Sequence, residues 1–536
     1  MGNDGRGGVN DGENWIYRKG AEVVKERKEK REDGLAFSQG FGMEDTANRA
    51  NEEKDSQDSR DSRCLEKFHG STRAAEANPW SCAAGRDASW MAAMTGKEIR
   101  EVLDQARVLP SKQLGQNFLI DPNMARWIVS QLEVSEDDAV CEVGPGTGAL
   151  SVHLVGKVRK LILIEFDGRL AGALKERYKD DPSVEVHHAD GAKFDGRVLF
   201  KHRKLKFLGN LPYSCGGAIM KNLLSRPHPF ERAVIMLQKE VIERLAAKPG
   251  TKDYGILSLR TQANWEVEPM RTVPPEAFYP RPTIDSAVAV LRPRTTGLPP
   301  FDYRLFDELI RRGFAQRRKQ LKKQMPDEPA WEKICAELKV SATVRGEELT
   351  LSQWVDLTRA YDPHPLKDLP QKAGEIFDVV DENDEVTGQA TRGEVHAQGL
   401  LHRAVHIFIY NKRGDLLLQK RSLLKDAHPG VWDSSVSGHL DAGETYTSAA
   451  VRELEEEMGI RVESVPEEIA RIAPCEATGW EHVRLFKTHY DGNLRFPSAE
   501  IDAVMWFPLS EIETWIANRP EDFATGFLEC WKATRV

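Results

Sequence analysis

A chain of 536 residues is too long for one hydrophobic core, so two or three domains are expected. Hydrophobic residues make up 40% of it and charged residues 30%, an ordinary soluble mixture, and no apolar run approaches the roughly 18 residues of a membrane span. The net charge of −9 argues against a general affinity for nucleic acid, so only local clusters of charge can indicate such binding.

Cysteine usage and the N-terminus indicate the cellular compartment. Seven cysteines are scattered along the chain, odd in number and without a CxxC pair, which argues against a disulfide framework and a zinc knuckle. The N-terminus lacks the apolar stretch of a secretory signal. We therefore predict a cytoplasmic protein that makes no contact with a membrane.

Residues 1–90 differ in composition from the rest of the chain. The stretches 22–32 (EVVKERKEKRE) and 52–63 (EEKDSQDSRDSR) are dense in charge and nearly free of apolar side chains. Such segments bury too little apolar surface to offset the conformational entropy of the chain. We interpret residues 1–90 as a disordered or spurious extension. Either the reading frame begins upstream of a true start at Met91 or Met94, or the segment is a disordered tail that tethers RNA.

From Thr95 the pattern changes to alternating helices and short apolar strands. Asp121 and Pro122 predict the N-cap and first residue of a helix. Five strand-like runs are separated by segments of helical length, which predicts a doubly wound parallel sheet. These runs are 139–143, 161–165, 184–187, 206–208 and 233–237.

Proline-rich breaks divide the chain further. Leu298-Pro299-Pro300 separates the α/β domain, residues 95–295, from a mostly helical stretch, residues 296–361. Residues 362–373 contain three prolines and are expected to form a linker. A second α/β pattern then occupies residues 374–536.

A glycine-rich loop, Gly144-Pro-Gly146-Thr-Gly148, follows the first strand-like run and is expected to lead into a helix. Glycines at such a turn let backbone amides approach a ligand closely. Glu165 ends the next run and could accept from both hydroxyls of a ribose, and Asp190 after the third could accept from an adenine amino group. Together they predict a cofactor that contains adenosine, and a dinucleotide fits the loop nearly as well.

Asn210-Leu211-Pro212-Tyr213 follows the fourth strand-like run, at the carboxyl edge where sheets of this class bind ligands. The Asn210 amide oxygen and the Leu211 carbonyl could accept both hydrogens of adenine N6 and direct its lone pair toward an incoming methyl group. Tyr213 could stack on an extruded base. The pattern favours adenine-N6 methylation over its alternative, a plain strand-to-helix turn with Tyr213 in the core.

Several segments resemble the ribosomal RNA adenine dimethyltransferase family over roughly residues 112–361. They are 112–121 (KQLGQNFLID), the GPGTG loop, NLPY, 237–240 (LQKE) and 274–291 (PPEAFYPRPTIDSAVAVL). The resemblance implies a Rossmann-like methyltransferase sheet with a small helical C-terminal subdomain. It implies that the cofactor is S-adenosyl-L-methionine, contacted by Asn117, Leu119, Gly144, Glu165, Asp190 and Asn210.

The same resemblance implies the reaction and its substrate. Asn210, Leu211, Pro212 and Tyr213 would hold the target adenine, with Phe278 as a second aromatic side chain near the base. The implied product is N6,N6-dimethyladenosine at two adjacent adenosines of a hairpin loop near the 3′ end of small-subunit rRNA. The implied partner is therefore the 30S ribosomal particle.

Residues 311–323 (RRGFAQRRKQLKK) predict an RNA-binding surface. Seven of these 13 residues are basic and none is acidic. Phe306, Ile310, Phe314 and Leu321 fall near one face of a helix, which would leave the opposite basic face free for phosphates. The alternative is a solvated helix face. The basic residues are Arg311, Arg312, Arg317, Arg318, Lys319, Lys322 and Lys323.

Residues 438–460 (GHLDAGETYTSAAVRELEEEMGI) contain three acids at spacings that bring them to one helical face: Glu453, Glu456 and Glu457. Such oxygen ligands suit Mg²⁺ or Mn²⁺, which would neutralise a diphosphate and activate water. The segment meets every specified position of the Nudix box, so residues 374–536 resemble Nudix hydrolases with an α/β/α sandwich. Glu453 is the expected catalytic residue, with Arg452 orienting it. The alternative is a glutamate-rich surface helix.

Within the Nudix proteins, 401–404 (LHRA) and 430–433 (GVWD) resemble the subgroup related to isopentenyl diphosphate isomerase. Ser437 replaces the catalytic cysteine of the isomerases, and their paired acidic metal ligands have no clear counterpart near 480–482 (WEH). We therefore expect hydrolysis of a nucleotide-like diphosphate rather than isomerisation. His402 and His439 are candidate ligands, with packing or hydrogen bonding as the alternative for each.

The sequence thus favours an enzyme with two activities, rRNA adenine-N6 dimethylation and Nudix hydrolysis. Two other interpretations stay open. One is a large-subunit rRNA adenine-N6 methylase of the same fold, and the other is a non-catalytic RNA-binding factor of ribosome assembly.

Overall fold

The computed structural model describes residues 94–110, 115–295, 297–363, 372–462 and 464–535. The interpretation of residues 1–90 lies outside this part of the chain, as does most of the expected linker at 362–373. No helix among the described residues is long and apolar enough to cross a bilayer.

A seven-stranded sheet forms the centre of the first domain. Its strands are β2 (Ala139–Val143), β3 (Lys160–Glu165), β4 (Val184–His188), β5 (Leu205–Asn210), β6 (Phe230–Gln238), β7 (Trp265–Val273) and β9 (Ser286–Pro293). They lie in the order β4-β3-β2-β5-β6-β9-β7. A separate short pair is formed by β1 (Phe118–Leu119) and β8 (Phe278–Tyr279).

The five predicted strands, β2 to β6, are all present and pair in parallel. Two further strands extend the sheet, and of these β9 runs antiparallel to both β6 and β7. Residues 274–285 join β7 to β9 without a crossover helix, and strands joined in this way run antiparallel.

Six helices accompany this sheet: α1 (Gly96–Gln105), α2 (Pro122–Ser130), α3 (Gly168–Arg177), α4 (Gly216–Leu223), α5 (Lys239–Leu245) and α6 (Ile256–Asn264). α2 and α3 pack on one face of the sheet and α4 and α5 on the other, so apolar side chains fill both sides. Asp121 caps α2 as predicted, since its carboxylate accepts hydrogen bonds from the Asn123 and Met124 amides. The helix expected after the glycine loop is only a 3₁₀ turn, Ser151–His153.

The predicted helical stretch contains α7 (Tyr303–Ala315), α8 (Trp331–Leu338) and α9 (Leu351–Tyr361) around the fully buried Trp354. The basic segment 311–323 is not one helix, which corrects the prediction. α7 ends at Ala315, and Leu321 enters the core from a separate 3₁₀ turn, where its amide donates to the Val344 carbonyl.

The second domain is built on another seven-stranded sheet. Its strands are β12 (His402–Tyr410), β13 (Leu416–Arg421), β14 (Trp432–Asp433), β15 (Val436–His439), β16 (Glu467–Ile472), β17 (Glu481–His489) and β18 (Ile501–Phe507), and β10 (Ile376–Val380) pairs with β11 (Val386–Thr391). Its helices are α10 (Arg392–Gln398), α11 (Tyr446–Met458), α12 (Leu509–Asn518) and α13 (Thr525–Ala533). α11 packs on one face of the large sheet, and α12 and α13 pack on the other, which makes the predicted sandwich.

The described residues of both domains belong to one compact unit. Phe200 of the first domain is buried among aromatic rings of the second, with centroids 5.7 Å from Trp432, 5.4 Å from Phe507 and 5.1 Å from Trp515. Ion pairs surround this contact: Arg197–Asp415, Lys201–Glu511, Arg203–Glu521 and Arg226–Asp502.

Candidate active sites

A small cavity lies at the carboxyl end of β2, β3 and β5 in the first domain. It has a volume of about 70 Å³ and is lined by most of the predicted site residues: Asn117, Leu119, Gly144, Glu165, Asn210, Leu211, Pro212 and Tyr213. The topology explains this convergence, because the carboxyl ends of parallel strands meet at one edge of a sheet.

The glycine loop packs tightly against the segment that carries Asn117. Gly146 has φ +59°, and a Cβ atom built there would lie only 3.0 Å from the Phe118 ring. Its amide donates a 2.9 Å hydrogen bond to Oε2 of Glu165. A larger residue at position 146 would therefore be strained and would push Phe118 away from the loop.

Glu165 is buried at the end of β3. Its Oε1 accepts a 2.8 Å hydrogen bond from the Asp167 amide, in addition to the bond from Gly146. Burial raises the pKa of Glu165 above its ordinary value, although these backbone donors oppose the shift. The carboxylate is thus held in a fixed orientation facing the loop.

Asn210 and Tyr213 are oriented by hydrogen bonds at the opposite wall of the cavity. The Asn210 Nδ2 donates to the Asn117 carbonyl over 3.4 Å, which directs its Oδ1 away from Asn117. The Tyr213 hydroxyl lies 2.5 Å from the Ser286 Oγ, so the ring is fixed against β9. Both side chains are thus held in place. The contact with Asn117 uses the amide nitrogen of Asn210, so the Asn210 Oδ1 is not engaged by Asn117.

Asp190 and Phe278 lie outside the wall of this cavity. Asp190 follows β4, and its Oδ1 accepts a 2.9 Å hydrogen bond from the Ala192 amide. Phe278 is 3% exposed and belongs to the core beneath the short β1–β8 pair, where it is paired with Leu119. Phe278 thus lies outside this cavity, and its placement near the target base stays a prediction.

Two polar groups in this cavity were not singled out from the sequence. Glu142 is buried within β2 and accepts a 2.7 Å hydrogen bond from the Ser151 hydroxyl, and burial raises its pKa to about 8. The Thr147 Oγ1 is buried with no hydrogen-bond partner in the described part of the chain. The sequence does mark Glu142, because it is an acid inside an otherwise apolar strand, AVCEV. Both groups suit a polar ligand on the glycine loop.

A larger cavity, of about 1530 Å³, lies in the second domain beside α11. Glu453 and Glu457 are buried against its wall, and Glu456, one turn from Arg452, is exposed. A Cβ atom at Gly438 would overlap the Glu453 carboxylate, so the close approach of β15 to α11 requires glycine at that position.

Arg452 connects the acids of this cavity. Its guanidinium donates to Glu453 at 2.8 Å, to Glu456 at 3.0 Å and to Glu444 at 2.9 Å. The predicted orientation of Glu453 by Arg452 is thus present as a direct contact. A further hydrogen bond of 2.9 Å to the His439 carbonyl ties the same guanidinium to β15.

The two buried acids of α11 are in surroundings that disfavour their negative charge. Burial raises the pKa of Glu453 to about 7, although the Arg452 charge opposes the shift. Burial also raises the pKa of Glu457 well above its ordinary value, and neighbouring Glu453 adds to the effect. Adjacent buried carboxylates are the donor set that a hard divalent cation stabilises, so these residues fit the expected Mg²⁺ or Mn²⁺.

Three histidines and a glutamate meet near these acids. Side-chain nitrogens of His396, His402 and His439 lie within 4.8 Å of one another. Oε1 of Glu481 lies 3.0 Å from Nε2 of His439 and 3.6 Å from Nε2 of His402. His402 and His439 were candidates from the sequence, whereas His396 and Glu481 were not. His396 belongs to no recognised motif, and Glu481 lies in the segment 480–482, where no clear counterpart of the isomerases' acidic ligands was found.

The protonation of this cluster suits metal ligation. Burial lowers the pKa of His439 to about 4, so its ring is neutral at pH 7. Burial alone would raise the pKa of Glu481, but contacts with His402 and His439 lower it below its ordinary value. The neutral His439 imidazole beside the Glu481 carboxylate could hold a metal ion, and His439 also stacks on Phe377 at 4.8 Å. Both alternatives for these histidines therefore have a structural basis.

Comparison with known proteins identifies the first domain. Residues 110–362 match the family Ribosomal RNA adenine dimethylase. Ribosomal RNA small subunit methyltransferase A from Clostridium perfringens (strain SM101 / Type A) is 37% identical over 274 residues, which cover 50% of this chain and 96% of that protein. The chain belongs to the ribosomal RNA adenine dimethylase family.

Another relative within this family covers the same part of the chain. Ribosomal RNA small subunit methyltransferase A from Ligilactobacillus salivarius is 38% identical over 275 residues, 49% of this chain and 93% of that protein. The crystal structure of a dimethyladenosine transferase from Plasmodium falciparum is 25% identical, with a TM-score of 0.39, and covers 45% of this chain and 95% of that one.

The second domain is an addition to the dimethylase part of the chain. Residues 400–526 match the NUDIX domain family, and the matched region contains both β15 and α11. The chain is therefore a fusion of a ribosomal RNA adenine dimethylase with a NUDIX domain, as the two sets of motifs predicted.

Proposed function

We propose that the first domain transfers methyl groups from S-adenosyl-L-methionine to N6 of two adjacent adenosines near the 3′ end of small-subunit rRNA, in the 30S particle. The observation that carries this proposal is the single cavity that joins Glu165 and the glycine loop to Asn210 and Tyr213. The relatives named small subunit methyltransferase A support the small subunit rather than the large one as the source of substrate.

Bound S-adenosyl-L-methionine would supply an electrophilic methyl group. Glu165 is the proposed acceptor for the ribose hydroxyls, with Asn117, Leu119 and Gly144 around it, and Asp190 is proposed for the adenine end. The unpartnered Thr147 hydroxyl supports a polar ligand at this position. The 70 Å³ cavity is smaller than such a ligand, so we expect the segment 115–119 to move outward when it binds.

The target adenine would be held by the Asn210–Tyr213 segment. The Asn210 Oδ1 and the Leu211 carbonyl would each accept one N6 hydrogen, which directs the nitrogen lone pair out of the base plane toward the methyl donor. Pro212 would keep the turn rigid, and the half-buried Tyr213 would stack on the base. Catalysis would come from positioning and from acceptors aimed at the developing positive charge.

Methyl transfer to immature 30S particles tests this proposal. Full-length protein should transfer labelled methyl groups from S-adenosyl-L-methionine, and Asn210→Ala should lower the rate by at least about a hundredfold. Asn123→Ala, an exposed residue of α2, serves as the matched control. Label on 50S precursors instead would favour the large-subunit methylase. No transfer to either particle would favour the non-catalytic assembly factor.

We propose that the NUDIX domain hydrolyses a nucleotide-like diphosphate with Mg²⁺ or Mn²⁺. The supporting observation is the convergence of Glu453, Glu456 and Glu457 on one cavity, with Arg452 bridging Glu453 and Glu456. These three acids are the proposed metal ligands, and Glu453 is the proposed catalytic residue. The bound cation would screen the diphosphate and activate water, while Arg452 keeps Glu453 oriented.

Hydrolysis of a panel of nucleoside diphosphate compounds tests the second activity. Product should form only with Mg²⁺ or Mn²⁺, and Glu457→Gln should reduce turnover by at least about tenfold. Glu513→Gln changes an exposed acid of α12 that does not line this cavity, and it should have no effect. No turnover across the panel, or conversion of isopentenyl diphosphate to its isomer, would contradict hydrolysis.

We propose a cytoplasmic location for both activities. The proposed substrate, a ribosomal particle, is found in that compartment, and scattered cysteines are consistent with it.

A further inference from the structure

A third cavity lies between the two domains, away from both candidate active sites. Its volume is about 520 Å³, and its wall combines residues that precede β6 and α7 of the first domain with β13, β18 and α12 of the second. Cavities of this size at domain interfaces are frequent binding sites for small molecules. Neither proposed activity uses it.

Lys420 gives this cavity a positive charge that has no direct ion pair. It lies in β13, and the ion pairs of the described residues include no carboxylate within 4.0 Å of its Nζ. The two nearest acids are already engaged: Asp502 accepts two 2.6 Å hydrogen bonds from Arg226, and Asp522 accepts from Arg519 and Trp515 at 2.7 Å. The remaining cation is therefore available to a ligand.

Burial makes the Lys420 charge costly. Desolvation lowers the pKa of Lys420, and the Arg226 charge adds to the effect, although Asp502 and Asp522 oppose it. A buried ammonium without a direct counter-ion destabilises a folded protein. An apolar residue of similar volume would avoid this cost, so the free protein gains no stability from lysine at this position.

Three further polar atoms on the wall lack partners. The His228 Nδ1, the Asn264 Oδ1 and the Arg519 Nε are buried with no hydrogen bond in the described part of the chain. His228 stacks on Trp265 with centroids 4.3 Å apart, and burial lowers its pKa to about 3, so its ring is neutral. A neutral imidazole can donate one hydrogen bond, and Asn264 can accept one from a hydroxyl or amide.

The mouth of the cavity is apolar. Leu423 and Leu424 are 61% and 48% exposed on the second domain, and the segment 298–300 (LPP) lines the first-domain side. Exposed leucines beside a partly polar cavity suit a ligand with an apolar part. The wall therefore combines one cation without a direct ion pair, Lys420, with three unpartnered polar atoms, several paired charges and an apolar rim.

We propose that this cavity binds a small organic anion, whose acidic group pairs with Lys420 and whose apolar body lies against Leu423 and Leu424. The ligand contacts both domains at once. Its acidic group supplies the counter-ion that Lys420 lacks. Because the ligand contacts both domains, its binding stabilises the interface between the NUDIX domain and the methyltransferase domain.

A pair of fluorescent probes tests the proposal on the full chain. The first is 8-anilinonaphthalene-1-sulfonate, an aromatic anion with an apolar body, and the second is N-phenyl-1-naphthylamine, its uncharged analogue. Lys420→Met preserves the length and removes the charge. It should weaken binding of the sulfonate by at least about tenfold, as expected for loss of a charged hydrogen bond, and leave the neutral probe unaffected.

Controls distinguish this cavity from other binding sites. Lys412→Met removes an exposed lysine of the same domain and should change neither affinity. Lys420→Met should unfold at the same temperature as the wild-type protein or a higher one, because it removes an unpaired buried charge, so loss of binding cannot be ascribed to misfolding. Equal sulfonate affinity in Lys420→Met and wild type, or an equal loss for both probes, would overturn the proposal.

Discussion

The pKa values of three buried acids in this molecule are shifted by burial more than by neighbouring charge. Glu142, Glu453 and Glu457 all have raised pKa values because strands and helices enclose them, and each lies in a candidate active site. Perturbed acids of this kind cluster where ligands bind. Asn210 is different, since its proposed role depends on the orientation of its amide, which the hydrogen bond to the Asn117 carbonyl provides.

The raised pKa of Glu142 predicts a pH dependence of stability. The folded state retains the proton up to about pH 8, whereas the unfolded state loses it near its ordinary value of 4.5. Between these values the folded state binds more protons, so its stability falls as pH rises, by up to about 1.4 kcal/mol per pH unit. The Glu142→Gln variant has no ionisable group at this position, so its stability should lack this pH-dependent contribution.

Urea unfolding of wild type and Glu142→Gln at pH 5 and pH 8 measures this effect. The difference between the two proteins should shift in favour of Glu142→Gln at the higher pH and level off above pH 8. A difference that does not change with pH would show that Glu142 is ionised in the folded protein.

At the scale of elements, the parallel strands were predictable because each is a short apolar run followed by a glycine, acid or amide motif. The antiparallel direction of β9 was not, since strand direction depends on the connection rather than on the residues within the strand. The prediction for the basic segment 311–323 also failed. Its apolar spacing predicted one continuous helix, but Leu321 reaches the core only because the chain leaves the helix after Ala315.

The folding of the basic segment divides its charges into two groups. Arg311, Arg312, Arg317 and Lys322 pair with Asp307, Glu308, Glu347 and Glu332. Arg318, Lys319 and Lys323 have no ion pair among the described residues and are exposed. We therefore expect the second group to supply most of the contacts with RNA phosphates.

Replacing Arg318, Lys319 and Lys323 by glutamine should weaken binding of small-subunit rRNA. It should also reduce the dependence of the affinity on salt, by about two released counter-ions or more for three lost phosphate contacts. The matched control replaces Arg311, Arg312 and Lys322, which are already paired. Affinity measured between low and moderate salt gives the slope, and an equal change in both variants would contradict this division.

For the whole molecule, the contact between the domains is the decisive feature. Phe200 follows a short turn of the first domain, yet its ring belongs to the core of the second. Arg519 of the second domain donates to the carbonyls of Phe200 and His202, which secures the backbone on either side of the ring. The two domains therefore share a hydrophobic core as well as a chain, and we expect them to unfold together.

Phe200→Ala should separate the domains. Truncating a buried phenylalanine lowers stability by about 3 to 5 kcal/mol, and here the lost contacts are those between the two domains. Scanning calorimetry should show one cooperative transition for the wild type and two for Phe200→Ala. Phe314→Ala removes a ring that contacts Tyr254 and Trp354 within the first domain, and it should lower the transition temperature without splitting it. A single transition for Phe200→Ala would contradict a shared core.

The sequence by itself determined the class of both domains and most residues of each candidate site. Strand, glycine loop and helix motifs depend on local backbone geometry, and Glu453, Glu456 and Glu457 are brought together by the 3.6-residue period of a helix. Local spacing could not reveal Glu481 beside His439, the burial of Phe278 or the packing of Phe200 against Trp432 and Trp515. These depend on packing between segments far apart in the chain, which only the tertiary structure decides.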